Sequence, residues 1–208
     1  MTDIDGTLID SKKAIALAAS LTIKEFQNLH IEPEVFFQYI GVPIKKVLMP
    51  YIESEDLEDS VLFFRKSLVD LGPANTEVMP NAVEILEIFK EAGAAICATT
   101  NKIRPLAETV LEQQNLLRFF NQIFGTDSHS PKPSPEMIKS AMENFPVETN
   151  IMFGDRPEDV LAGAQAGATT VFLSGEFDDL LIKESAIPDF RVTEWRQLPE
   201  IQPIKAVV

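Results

Sequence analysis

Residues 151–173 read IMFGDRPEDVLAGAQAGATTVFL, and this stretch decides the fold. Ile151–Gly154 is a short apolar run that stops at a glycine and a carboxylate, the pattern of a buried strand. Pro157 suits the first helical turn, where its missing N–H would have found no intrahelical acceptor. A helix is expected over Pro157–Ala166 and a second buried strand over Thr169–Leu173. Strand, helix and strand in so short a span imply parallel strands joined by a right-handed crossover. Outward from this unit the alternation continues, with a helix near Pro135–Asn144, a strand near Ile123–Gly125 and a helix near Pro105–Gln114. Before them come a strand at Ala94–Thr99 and a helix that Asn81 can cap, running to about Ala92 with Gly93 as its stop signal. The chain therefore reads as an α/β protein with a Rossmann-like parallel sheet. In such sheets, sites form beyond the carboxyl ends of the strands.

The N-terminal third has a different rhythm. Residues 12–29 carry Ile15, Ala18, Ala19, Thr22, Phe26 and Leu29 on one helical face. Residues 33–72 continue helically, from Glu34 to Ile40, from Ile44 to Ile52, and then with Leu57, Val61, Phe64 and Leu68 at helical spacing. No strand is expected before residue 94. A helical block of about 60 residues far exceeds the roughly 4–6 residues usual for a connection. A small helical domain over 12–75, inserted into a core made of 1–11 and 76–208, is the better reading, with the change of rhythm after Gly72-Pro73.

Composition narrows the function classes. The 208 residues include 18 basic and 32 acidic ones, a net charge of −14. Such a balance argues against non-specific nucleic-acid binding and against anionic membrane surfaces, both of which need clustered cations. The single cysteine, Cys97, can form no internal disulfide and is expected to be a buried thiol. No apolar run approaches the roughly 18 residues of a membrane helix, and no signal peptide is visible, so a soluble cytoplasmic protein is expected.

Four polar clusters fall at strand ends or at the chain start. Asp3-Ile4-Asp5-Gly6-Thr7 places two carboxylates on one side of an extended backbone. One could attack a phosphorus and the other shuttle a proton, although an acidic turn would look the same. Thr100-Asn101-Lys102 offers a hydroxyl and backbone N–H groups for phosphate oxygens, or simply a helix cap. Lys132-Pro133-Ser134-Pro135 puts a fixed cation before a helix start, or is only a loop. Gly154-Asp155-Arg156-Pro157-Glu158-Asp159 sets two carboxylates one turn apart, where both can face a cation beside Asp3. A few hard oxygen ligands with a phosphate nearby suit magnesium.

Taken together, the order and spacing of these clusters resemble the haloacid dehalogenase superfamily of phosphohydrolases. Asp3-Ile4-Asp5-Gly6-Thr7-Leu8 matches its first motif, Thr100 its second, Lys132 its third, and Asp155 with Asp159 its fourth. Residues 12–75 look like its helical C1 cap. Ile40-Gly41-Val42-Pro43 and Met79-Pro80-Asn81 resemble the phosphoglycolate phosphatase-like branch, which commonly has glycine where Asn81 stands. The resemblance implies a magnesium-dependent phosphatase acting on a small phosphorylated metabolite. In it Asp3 would be the nucleophile that forms an aspartyl-phosphate, and Asp5 the acid and then the base. Thr100 and Lys132 would bind the phosphoryl group, helped by Gly6, Thr7 and Asn101. Magnesium would be held by Asp3, the carbonyl of Asp5, and Asp155, with Asp159 in support. A monomer or weak homodimer is expected. A phosphotransferase or phosphomutase using the same intermediate is the alternative, and a catalytically weak phosphate-binding regulatory module is another. The absence of a cap histidine shortly after the first motif, where Lys12 and Lys13 stand, favours hydrolysis over the mutase.

Other residues read more plainly. His30 is expected at a helix end on the surface and His129 in a loop. Lys45 and Lys46 follow Gly41-Val42-Pro43, so one of them could reach the substrate. Trp195, Phe36 and Phe37 are expected in packing. The resemblance also exposes a gap, because family members place an apolar strand before the first aspartate and only Met1 and Thr2 precede Asp3 here. Pro203-Ile204-Lys205-Ala206-Val207-Val208 could supply that strand through a circular permutation.

Overall fold

The computed structural model describes residues 1–202 and 204–206. The chain leaves the first motif through β1 (Ile9–Asp10) and enters α1 (Lys12–Gln27). A 3-10 turn at Pro33–Tyr39 follows, then α2 (Ile44–Leu48) and α3 (Leu57–Asn75). β2 (Glu77–Val78) pairs antiparallel with β1, Ile9 opposite Val78, and brings the chain back. α4 (Ala82–Glu91), β3 (Cys97–Thr99), α5 (Arg104–Gln113), β4 (Gln122–Phe124) and α6 (Glu136–Asn144) come next. The last elements are β5 (Ile151–Gly154), α7 (Pro157–Ala166), β6 (Thr169–Leu173), α8 (Asp178–Lys183) and β7 (Phe190–Val192).

β3 pairs with β4, and β5 with β6 and β6 with β7, all parallel. Between β3 and β5 lies the N-terminal segment Met1–Asp3, whose Thr2 bridges Ala98 on one side and Phe153 on the other, again in parallel. The Thr2 and Asp3 N–H groups donate to the Cys97 and Phe153 carbonyls at 3.0 and 2.9 Å. The spatial order is thus β4, β3, residues 1–3, β5, β6, β7, an α/β core in which Asp3 leaves the middle of the sheet. In the helical cap, α1 turns a face of alanines toward α3, and small side chains let the two helices approach closely around Val61, Phe64 and Leu68.

Several expectations are corrected. The β1–β2 ribbon lies where no strand was expected, because two residues per strand are too few to show a period. α3 runs through Gly72-Pro73 to Asn75. Pro73 has no N–H for the Val69 carbonyl four residues back, and the Gln113 side chain on α5 donates to that carbonyl instead, at 3.0 Å. Asn81 stands at the N-cap of α4 but makes no side-chain cap bond; its φ of 64° is left-handed, a conformation asparagine tolerates and glycine favours. The permutation is not supported. Residues 1–3 occupy the central position themselves, and Ile204–Ala206 forms a 3-10 turn rather than a strand. Ile204 is buried; Pro203, Val207 and Val208 lie outside the described residues. Beyond Leu173, α8 and β7 were not anticipated.

Candidate active site

The first motif is a strand end followed by a tight loop. Asp3 and Asp5 are both buried, at 5 % exposure each, although they are charged groups. Burial of that kind demands partners. Gly6 (φ 81°) carries the backbone across the Asp155 side chain so closely that a Cβ would overlap its carboxylate. Thr7 then donates its hydroxyl to Asp155 Oδ1 at 2.7 Å, tying the first motif to the fourth. The Thr7 carbonyl accepts the Trp195 indole N–H at 2.7 Å, so a residue far along the chain supports the loop from beneath.

Lys132 is the central cation. Its Nζ donates to Asp3 Oδ1 and to the Thr99 carbonyl, both at 2.7 Å, and lies 2.5 Å from Asp159 Oδ1. Burial works against its ammonium, but Asp159 and Asp3 outweigh that and hold it protonated above the usual lysine range. Carboxylate oxygens of Asp3, Asp155 and Asp159 lie within 4.8 Å of one another. Burial pushes Asp3 up to about 7 against the pull of Lys132, and it pushes Asp155 well above the carboxylate range, with Asp159 and Asp3 adding repulsion. Fully ionised, three buried carboxylates beside one ammonium would carry two excess negative charges, and that repulsion adds to burial in holding Asp3 and Asp155 above the usual carboxylate range. A divalent cation with oxygen ligands fits that excess.

Asp5 points elsewhere. One carboxylate oxygen accepts from the Ser11 hydroxyl and the other pairs with the Lys102 ammonium. Thr100, at the end of β3, is 1 % exposed, and its hydroxyl accepts the Lys102 backbone N–H at 3.2 Å. Asn101 is a bridge: its Oδ1 accepts the Lys132 N–H at 2.8 Å, and its Nδ2 donates to the Gly41 carbonyl of the cap at 3.0 Å.

These residues open into a cavity of about 200 Å³ between cap and core. Asp3, Asp5, Thr100, Asn101, Lys132 and Asp159 line it, as does Lys45, which pairs with Glu58 on α3. Gly6 and Thr7 do not line this cavity; they brace Asp155 from behind. His129 packs its ring against Phe124 and shares a hydrogen bond with Ser140 at 3.2 Å, and His30 pairs with Glu32 on the surface. Cys97 is buried in β3. Sequence reasoning missed Ser11, the pairing of Lys102 with Asp5, Arg156 as part of the cavity wall, and the hydrogen bond of Trp195. Of these, only Lys102 and Arg156, inside quoted motifs, carried any local signal. Among the described residues no helix is long and apolar enough to cross a membrane.

Comparison with known proteins bears on the family. Residues 1–173 match the family model for haloacid dehalogenase-like hydrolases. The chain is 32% identical over 194 residues to a phosphoglycolate phosphatase of Aquifex aeolicus, covering 92% of this chain and 90% of that protein. It is 24% identical over 200 residues to the pyrophosphatase PpaX of Oceanobacillus iheyensis, covering 94% and 92%. A solved haloacid dehalogenase-like family hydrolase from Streptococcus pneumoniae superimposes with a TM-score of 0.81 at 21% identity, over 96% of this chain and 95% of that one. Its likeness is one of fold. The order of the motifs, their convergence at the sheet's carboxyl end and the match over most of the chain lead to one conclusion: this protein belongs to the haloacid dehalogenase-like hydrolase family.

Proposed function

We propose that the protein is a magnesium-dependent phosphatase that hydrolyses a small phosphorylated metabolite through an aspartyl-phosphate on Asp3. The observation that carries this reading is the buried Asp3 carboxylate, held by Lys132 at 2.7 Å beside Asp155 and Asp159 and open to the cap cavity. Asp3 attacks phosphorus, forming an acyl phosphate as the bond to the leaving oxygen breaks. Asp5 delivers a proton to that oxygen. It then takes a proton from the water that attacks the phosphoenzyme, releasing phosphate and restoring Asp3. Thr100 and Lys132 hold the phosphoryl oxygens, and Asn101 keeps the lysine loop and the cap in one position. Asp3, the Asp5 carbonyl and Asp155 would hold magnesium, with Asp159 in support. Its charge would let a phosphate dianion approach these carboxylates. The relatives' names make phosphate esters of small acids and pyrophosphate the first substrates to try.

Assay of free phosphate from an aryl phosphate, with and without magnesium, tests the reading, and a search for isomerised sugar phosphate excludes the mutase. Asp3→Asn is expected to keep the fold and lose turnover by about three orders of magnitude or more. Hydrolysis by Asp3→Asn near the parent rate would sink the mechanism.

A further inference from the structure

The charges next to Asp3 fall into two groups. In the first, Lys132 serves Asp3 and Asp159, whose carboxylates lie beside that of Asp155. In the second, Asp5 stands apart. Ser11 donates its hydroxyl to one carboxylate oxygen of Asp5, and the Lys102 ammonium pairs with the other. Asp5 and Lys102 both line the cavity, yet their side chains are only 6 % and 10 % exposed. Taking two such charges out of water is costly, and removing either one leaves the other buried and unmatched.

Lys102 is itself held still through its backbone. Its N–H donates to the Thr100 hydroxyl at 3.2 Å, and its carbonyl accepts the Thr126 N–H at 2.9 Å. Gly125 lets the two loops meet, because a Cβ there would stand 2.6 Å from that carbonyl. β3 lies between β4 and the N-terminal segment. A lysine in its exit loop is therefore tied to one neighbour by its backbone while its side chain reaches the other. A charge fixed in this way fixes its partner. Proton transfer needs the carboxylate within hydrogen-bond reach of the reacting oxygen, and a misplacement of about 1 Å can cost about a hundredfold in rate.

Resting on the phosphatase reading above, we infer that Lys102 is a positioning residue that holds Asp5 over the cavity, where it serves the leaving oxygen and then the attacking water. It also keeps Asp5 away from the carboxylates gathered around Lys132. Asp5 carries the proton in both steps, and Lys102 transfers none.

Aryl phosphates graded by the acidity of the phenol they release test this with magnesium present: 4-nitrophenyl, phenyl and 4-methoxyphenyl phosphate. The readout is kcat/KM, which reports phosphoryl transfer to Asp3, the step in which Asp5 protonates the leaving oxygen. Nitrophenolate leaves with little help, whereas the other two need the proton. Lys102→Met is expected to lose about tenfold to a hundredfold on the phenyl and methoxyphenyl esters and under about threefold on the nitrophenyl ester. A lysine that merely supported the fold would not change this dependence on the leaving group. In a double-mutant cycle on the phenyl ester, Lys102→Met should add little to Asp5→Asn, because the lysine acts only through that carboxylate. Lys102→Gln is read in the same way if the methionine variant does not fold. A loss equal across the three esters, or losses that multiply in the double variant, overturns the inference and leaves the phosphatase reading standing. No phosphate release from any of the three esters by the parent protein overturns both.

Discussion

Trp195→Phe probes a link between the far end of the chain and the site. The indole is 3 % exposed, and its N–H donates to the Thr7 carbonyl at 2.7 Å. Phenylalanine keeps an aromatic ring against Phe153, now 6.1 Å away between centroids, but leaves that carbonyl buried without a donor. An unsatisfied buried group costs about 1–3 kcal/mol, and the lost second ring leaves a small void that adds to it. For a chain of this size each kcal/mol moves Tm by about 2–4 °C, so a fall of about 2–12 °C is expected in thermal unfolding. The effect should also reach the chemistry. Thr7 holds Asp155 Oδ1, so a looser loop should raise the magnesium concentration needed for half-maximal activity severalfold, while the rate at saturating magnesium changes little. A Tm within about 1 °C of the parent would refute the reasoning about the hydrogen bond. A lower Tm with a superimposable magnesium curve would refute its extension to the site.

Magnesium affinity should rise with pH across the neutral range, because burial holds Asp3 up to about 7 and lifts Asp155, and those protons must leave as the cation binds. By the same linkage, the metal-free protein should lose stability as pH rises from the ordinary carboxylate range to about 7. Calorimetry in two buffers of different ionisation enthalpy would reveal the released protons, and a pH-independent affinity without proton release would contradict the argument. Gln113→Leu should destabilise the protein by about 1–3 kcal/mol, since the Val69 carbonyl opposite Pro73 then has no donor; an unchanged melting curve would show that this carbonyl needs none.

The strand–helix alternation from Ala94 to Leu173 was legible because its helices, of 9 or 10 residues, are long enough to show an apolar period, and the short strands between them are apolar runs that end in polar residues or glycine. The site clusters were legible for a related reason. In a parallel sheet, polar residues directly after buried strands must converge at one edge, so Asp3, Thr100 and Asp155 are brought together by topology alone. Local rules failed where a partner distant in sequence decides the outcome. α3 continues through Pro73 because Gln113 supplies the missing bond, and Asn81 enters left-handed backbone instead of capping. The two-residue ribbon of β1 and β2 has no local signature, since each strand exists only by pairing with the other.

What the sequence by itself determined is therefore the fold class and the identity of the chemical groups, which depend on periodicity and on residue type. What only the tertiary structure decided is how those groups are partnered. Asp5 faces Ser11 and Lys102, Thr7 braces Asp155 while resting on Trp195, and Arg156 is wedged between Phe177, Glu158 and Gly41 with one N–H to spare. The reason is physical. Burying a charge or a polar group costs free energy unless its particular partner is present, and those partners lie up to 188 residues away along the chain.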